Sequence, residues 1–220
     1  MATVVRNIAG AVNIPVMVDA DTGYGNAINA ARAVKEFERA GAAGIMIEDQ
    51  VAPKKCPFIG NQPLISEKEM LGKIRAALDA RTSEDFVIRA RTDALGQEAI
   101  ERANSYADAG ADMIHAVQRS VEDVEGFPKS IHAPLSIAVM GWKQSYTVEE
   151  LKRLGYKVAI FVTPIYSVTK ALVDFMAEVK NKGTIKGVED KMVSMEYYEK
   201  LVDLPKIKEM EEKYLPKETC

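Results

Sequence analysis

Cysteine, histidine and tryptophan are scarce in this 220-residue sequence, with two, two and one respectively. Two cysteines, Cys56 and Cys220, cannot build a disulfide framework, and so few thiols point to a reduced, cytoplasmic compartment. His115 and His132 lack metal-ligand spacing and read as structural or surface residues. A basic surplus is also missing: 29 Lys and Arg stand against 32 Asp and Glu, for a net charge of −3. That balance excludes a strong non-specific grip on nucleic acid. No apolar run reaches the roughly 18 residues of a membrane span. Residues 1–10 lack the apolar core of a signal peptide. Gly23 and Gly25 are followed by no third glycine of a nucleotide-binding turn. Ser167 has no nucleophile-elbow context. Trp142 and Lys143 read as a loop feature.

What is present is the composition of a soluble globular protein, with 47% hydrophobic and 28% charged residues. Short apolar runs alternate with longer amphipathic ones. The runs Pro15–Ala20, Gly44–Glu48, Phe86–Arg91, Asp112–Val117, Pro134–Val139 and Val158–Thr163 read as strands covered on both faces. Between the first two, Ala27–Gly41 reads as a helix with Ile28, Ala31, Val34 and Phe37 on one face. Ser66 with Glu69, and Thr147 with Glu150, have capping-box spacing. Gly110 and Gly155 fit helix ends that lead into strands. The phrases "RAGAAGIMI" and "DAGADMI" are one helix-to-strand junction used twice.

This order predicts a parallel sheet with crossover helices, in about six strand–helix units. From periodicity alone, an open doubly wound sheet and a barrel are both consistent. The expected division is 1–186 for the (β/α) domain and 187–220 for a charged helical tail on the barrel or a neighbouring subunit. In the tail Met192, Met195, Tyr198, Leu201 and Leu204 are the apolar positions, and Pro205 and Pro216 punctuate it.

Acidic residues end the first two strands. Asp19 and Asp21, in "VDADTGYGN", share strand parity where parallel α/β folds place active sites. Their oxygens suit Mg²⁺, and the alternative is a helix N-cap with a turn. Glu48, in "IMIEDQ", is placed to converge on them, whereas Asp49 reads as a solvated strand end. Three acids so placed repel unless a cation lies among them. Cys56 lies in "APKKCPFIGNQPLIS", a loop of about 16 residues of the length used for lids and binding loops. Lys54 and Lys55 beside the thiol favour the thiolate, giving a nucleophile or an acid/base group, with an ordinary surface thiol as the alternative. In "VIRARTDA", Arg91 is placed to clamp an anion in a fork, or to pair with Asp93; Arg89 lies deeper with the same parity.

These segments, with "ISEKEMLGKIRAALDAR" and "LKRLGYKVAIF", occur in order and resemble the isocitrate lyase/phosphoenolpyruvate mutase superfamily, nearest its methylisocitrate lyase and dimethylmalate lyase branch. The resemblance covers essentially the whole chain. It implies a (β/α)₈ TIM-type barrel, here N-terminally shortened to about six units, with C-terminal helices exchanged between subunits of a dimer or tetramer. It implies Mg²⁺, or Mn²⁺ in its place, on Asp19, Asp21 and Glu48. Arg91 falls on the arginine that binds the substrate's carboxylate or phosphonate. Cys56 falls on the cysteine of the lyases, which the mutase branch lacks. The implied reaction is cleavage of a small 2-hydroxy di- or tricarboxylic acid to a 2-oxo acid and a dicarboxylate, with Cys56 as general acid and Lys54, Lys55 and Arg91 holding anionic groups. Phosphonate mutase chemistry and an inactive barrel are the alternatives.

The chain departs from the family pattern at four places. The two strand–helix units expected before "VDAD", with their Tyr-x-Ser-Gly segment, have no counterpart, which leaves two parallel edges exposed. Pro57 and Phe58 follow Cys56 where the lyases have Gly-His. The Glu expected in "IHAVQRS" is missing. Ala138 or Val139 stands where an Asn is expected after "PLS", with "GWKQSYT" replacing a Gly-rich loop.

Overall fold

A computed structural model describes residues 1–57, 59–60, 62–140 and 146–216, so Phe58, Trp142, Lys143 and Cys220 lie outside the described residues. The chain forms two compact units, Met1–Thr163 and the segment from Pro164 onward. The first runs α1 (Ala2–Ala11), β1 (Met17–Asp19), α2 (Ala27–Arg39), β2 (Gly44–Glu48), α3 (Glu67–Ala80), β3 (Val87–Thr92), α4 (Gly96–Asp108), β4 (Met113–Ala116), α5 (Val121–Ser130), β5 (Ser136–Val139), α6 (Val148–Leu154) and β6 (Val158–Phe161). The second holds α7 (Pro164–Lys182), a 3₁₀ turn at Glu189–Lys191, α8 (Met195–Leu201) and α9 (Leu204–Tyr214). The helix α7 thus groups with the tail, although the pattern boundary falls at 186.

All six expected strands form, and every pairing between them is parallel. Their order is β1-β2-β3-β4 in one sheet and β5-β6 in another, with a parallel bridge from Ile114 to Leu135 between them. This is a TIM-type run of (β/α) units whose sheet does not close. Among the described residues β1 pairs only with β2, and β6 only with β5.

Local signals account for the helix ends. Gly41, Gly110 and Gly155 have φ of 91°, 101° and 112°, values that favour glycine. At each, the next residue's N–H reaches back five positions: Ala42 to Phe37, Ala111 to Tyr106 and Tyr156 to Leu151. These are Schellman ends, and the first two are the repeated junction read from the sequence. Thr147 and Glu150 form a reciprocal capping box, whereas Ser66 only accepts from the Glu69 N–H.

The two faces of the sheet differ, which corrects the expectation of apolar cover on both. Ile45, Ile47, Ile88, Ala90, Ile114 and Ile137 are buried in the core with residues of the helices. In α2 the buried stripe is Ala30, Ala33, Val34 and Phe37, while Ile28 is 76% exposed, against its expected place on the apolar face. A step of three or four residues back from Phe37 reaches Ala33 and Ala30 and passes Ile28 by. The alternate strand positions carry Asp19, Glu48, Arg89, Arg91, His115 and Ser136.

In the second unit Val188 is the one buried residue among those described. Leu172, Val173, Met176, Met195 and Leu201 are all exposed.

Gly44 opens β2 where the neighbouring strands approach closely. A Cβ there would lie 2.5 Å from the Val87 carbonyl oxygen and 3.0 Å from Met17 Cε. Because the first is backbone, Gly44→Ala is expected to lower the unfolding free energy by about 1–3 kcal/mol, read from urea denaturation.

Candidate active site

The register of β1 on β2 brings the acids together. Asp19 pairs with Met46, the Ala20 N–H continues the ladder to the Met46 carbonyl, and the Glu48 N–H donates to the Asp21 carbonyl. Asp21 has already left the strand: its φ is 51°, and its N–H donates to Asp19 Oδ1 at 2.9 Å. A left-handed turn, tolerated by Asp, therefore joins the two carboxylates, and strand parity does not. The cap alternative is excluded, because Asn26 is the N-cap of α2. From α3, the buried Lys73 donates to the Thr22 carbonyl at 3.0 Å and fixes the turn.

Glu48 is 1% exposed. Its oxygens lack a well-directed hydrogen bond among the described residues, yet two cations stand beside it. Arg91 Nη1 lies 3.1 Å from Oε2 and Lys54 Nζ lies 3.6 Å from Oε1. Burial pushes the Glu48 carboxyl up to about 7, against the pull of Arg91 and Lys54. Lys54 Nζ also lies 2.6 Å from Asp21 Oδ1 and 3.1 Å from Asp19 Oδ2. Burial opposes the lysine's charge, but the hydrogen bond to Asp21 and the charges of Asp19 and Glu48 outweigh it and raise its pKa.

One ammonium thus occupies the meeting point of three carboxylates. Among the described residues no cluster of three or more His, Cys, Asp and Glu closes directly around a metal position, because the acids close on Lys54 instead. The donor set is nevertheless all oxygen, already gathers a positive charge, and includes two unsatisfied buried oxygens. Those features fit a hard divalent cation that retains waters.

Arg91 uses both of its edges. Nε and Nη2 lie 3.2 and 2.9 Å from Asp93 Oδ1, and Nη1 faces Glu48. Nη2 also lies 3.3 Å from Asp93 Oδ2, so the guanidinium plane is fixed by this carboxylate. Arg89 is buried, and burial lowers its pKa while Asp19 opposes the shift. His115, aligned with Arg91 across β3 and β4, is also part of this face. Its Nδ1 is 3.0 Å from Ser136 Oγ, and its pKa falls to about 3 through burial and the charges of Arg91 and Arg89. It is therefore neutral near pH 7. No sequence signal marked it, because its alignment with Arg91 is a matter of strand register.

Asp49 is fully buried, in contrast to the solvated strand end expected. It accepts from Thr92 Oγ1 at 2.7 Å, Tyr106 Oη at 2.8 Å and the Asp93 N–H at 3.0 Å. These donors replace water and anchor the end of β2 to β3 and α4.

Cys56 is exposed. The Lys54 charge expected beside it is directed to the acids. Lys55 is held by its backbone: its N–H and carbonyl both bond to the Gln50 side chain. Arg119, in the segment lacking the family's Glu, donates to the Pro57 carbonyl. A cleft of about 400 Å³ is lined by Gln62, Asp93, Glu98, Arg102 and Arg119 among others and contains none of the three acids.

Parallel (β/α) units with acids, arginines and a lysine loop gathered at strand ends are the arrangement of barrel-class enzymes. The family model described as phosphoenolpyruvate phosphomutase matches residues 1–180. The chain is 41% identical to the 2,3-dimethylmalate lyase of Eubacterium barkeri, covering 94% of this chain and 74% of that protein. It is 44% identical to the 2-methylisocitrate lyase of Aeropyrum pernix, over 87% of this chain and 65% of that protein, so it spans just under two thirds of the latter's length. A crystal structure of phosphonopyruvate hydrolase with oxalate and Mg²⁺ superposes with a TM-score of 0.86 at 32% identity, over 98% of this chain and 78% of that one. The chain belongs to the phosphoenolpyruvate mutase/isocitrate lyase superfamily, a family of lyases and mutases.

The raised pKa of Glu48 has a sign. A carboxyl whose folded pKa lies above its unfolded value of 4.5 stabilises the fold fully below that value, and loses this as pH rises through about 7. In metal-free protein, Glu48→Gln is expected to remove a pH-dependent loss on the order of 3 kcal/mol between pH 4.5 and 8, read as the difference between the two unfolding profiles. Parallel profiles would refute it.

Proposed function

We propose that the chain is a Mg²⁺-dependent carbon–carbon lyase acting on a small 2-hydroxy di- or tricarboxylic acid of the methylisocitrate or dimethylmalate kind. The observation that carries this reading is the convergence of Asp19, Asp21 and Glu48 on the Lys54 ammonium, on a loop that also bears Lys55 and Cys56. Lyase relatives at 41% and 44% identity support it. The neighbour solved with oxalate and Mg²⁺ supports the metal.

Asp19, Asp21 and Glu48 would hold the divalent cation, with Mn²⁺ as the substitute. Bound there, it would supply positive charge to the oxygens of an oxo acid. The substrate's hydroxyl proton passes to solvent as the C–C bond breaks, which leaves a carbonyl on one fragment. The electron pair passes to the other fragment, delocalised into its carboxylate. The Cys56 thiol delivers a proton to that carbon. Arg91 offers its guanidinium charge to a substrate carboxylate, while Asp93 and Glu48 keep its plane fixed. Lys54 and Lys55 hold further anionic groups. Neutral His115 adds no charge of its own beside Arg91.

The phosphomutase family model and the hydrolase neighbour favour a second reading, phosphonate chemistry at the same acids. Cys56 favours cleavage. The second unit, with its exposed apolar helices, is proposed to pack on another copy of the chain in a dimer or tetramer. No described helix is long and apolar enough to cross a membrane.

Two outcomes test the reading. Mg²⁺ and oxalate together are expected to raise thermal stability, by about 2.7 kcal/mol at 100 times the dissociation constant, whereas neither does so alone. Absence of a shift in folded protein would mean that the acids do not form a working site. Cys56→Ser is expected to cut 2-oxo acid release by roughly 100-fold or more while leaving that shift intact. Turnover that survived would remove Cys56 from the mechanism. Activity on phosphonopyruvate without cleavage of either hydroxy acid would favour the second reading.

A further inference from the structure

Gln50 follows the buried pair Glu48 and Asp49, and its side chain is itself 1% exposed. Its Oε1 accepts from the Lys55 N–H at 2.9 Å. Its Nε2 donates to the Lys55 carbonyl at 3.0 Å and to Asp93 Oδ2 at 2.6 Å. Both amide hydrogens and the amide oxygen are therefore used. The orientation is fixed by chemistry, since a flipped amide would turn its oxygen toward a carboxylate and a carbonyl. Asp93 in turn grips Arg91, and Arg91 faces Glu48, the acid beside Lys54 Nζ. These contacts make a closed ring: Lys55 backbone, Gln50, Asp93, Arg91, Glu48, Lys54.

We propose that Gln50 is a positioning residue, which clamps the backbone of Lys55 and so sets the lysine pair and Cys56 relative to the three acids. The proposal deepens the lyase reading and rests on it for the effect on turnover, but the clamp itself is testable without activity. Nothing else in the ring grips that part of the loop by both of its backbone groups. Without the amide, the loop would lose its register to the strand ends, and Asp93 would lose a buried donor.

The test uses the full chain and trypsin under native conditions. Cleavage after Lys54 and after Lys55 is followed by mass spectrometry against cleavage after Lys35 and Lys129, in the wild type, Gln50→Ala and Gln50→Glu. Glutamate has nearly the shape of glutamine but sets a carboxylate against Asp93 and the Lys55 carbonyl. Both variants are expected to speed loop cleavage roughly ten-fold relative to the reference sites, because local release exposes only the loop. Equal acceleration at all sites would mean general destabilisation and would overturn the proposal, as would no change. In turnover assays kcat is expected to fall roughly ten-fold with KM changed less than about three-fold, the split expected of misplaced groups. Full turnover in Gln50→Glu would overturn it. A wild type inactive on every hydroxy acid would overturn the lyase reading instead, and the proteolysis would still decide the clamp.

Discussion

The buried carboxylate of Glu48 is the constraint on which the strand ends depend. A carboxylate at 1% exposure must be neutralised by its surroundings, by a proton or by cations. Here the cations are Arg91, from the adjacent strand, and Lys54, from the loop that follows β2. Each is held by other acids: Arg91 by Asp93, Lys54 by Asp19 and Asp21. The charges form an alternating chain in which no member can be placed without its neighbours. Half-satisfied networks of this kind are poor stabilisers but good recorders of geometry. The positive charge of Lys54 offsets the mutual repulsion of the three acids.

Beneath this charged face lies a conventional parallel-sheet core. Side chains alternate along β3, so that Ile88 and Ala90 pack under helices while Arg89 and Arg91 emerge on the other side. Register then turns a one-dimensional alternation into a site: Glu48 stands opposite Arg91, and Arg91 opposite His115. Asp49, of opposite parity to Glu48, bolts the strands together from the helical side through Thr92 and Tyr106. Adjacent acids thus serve different ends because the pleat points them apart.

Two of the four departures from the family pattern meet at the loop. Pro57 follows Cys56 where the lyases carry Gly-His, and its carbonyl receives Arg119, from the segment that lacks the family's Glu. Two departures distant in sequence are in contact in the fold, which ties the Cys56 loop to the β4–α5 connection. Gln50 and Asp93 link the backbone of Lys55 to Arg91 on the other side of that loop.

Features that depend on near neighbours were legible in the residues alone. Six apolar runs became six parallel strands, three glycines ended helices, and Thr147 with Glu150 capped one, because periodicity, φ and capping act over a few residues. The motifs also marked Asp19, Asp21, Glu48, Lys54, Cys56 and Arg91 as chemically relevant. Tertiary structure alone decided how they meet. Lys54 reaches Asp19 across 35 residues, and Gln50 reaches Asp93 across 43. No local pattern encodes those distances, and none distinguishes a solvated Asp49 from a buried one. Strand register and the burial of charge set these contacts, and both exist only once the chain has folded.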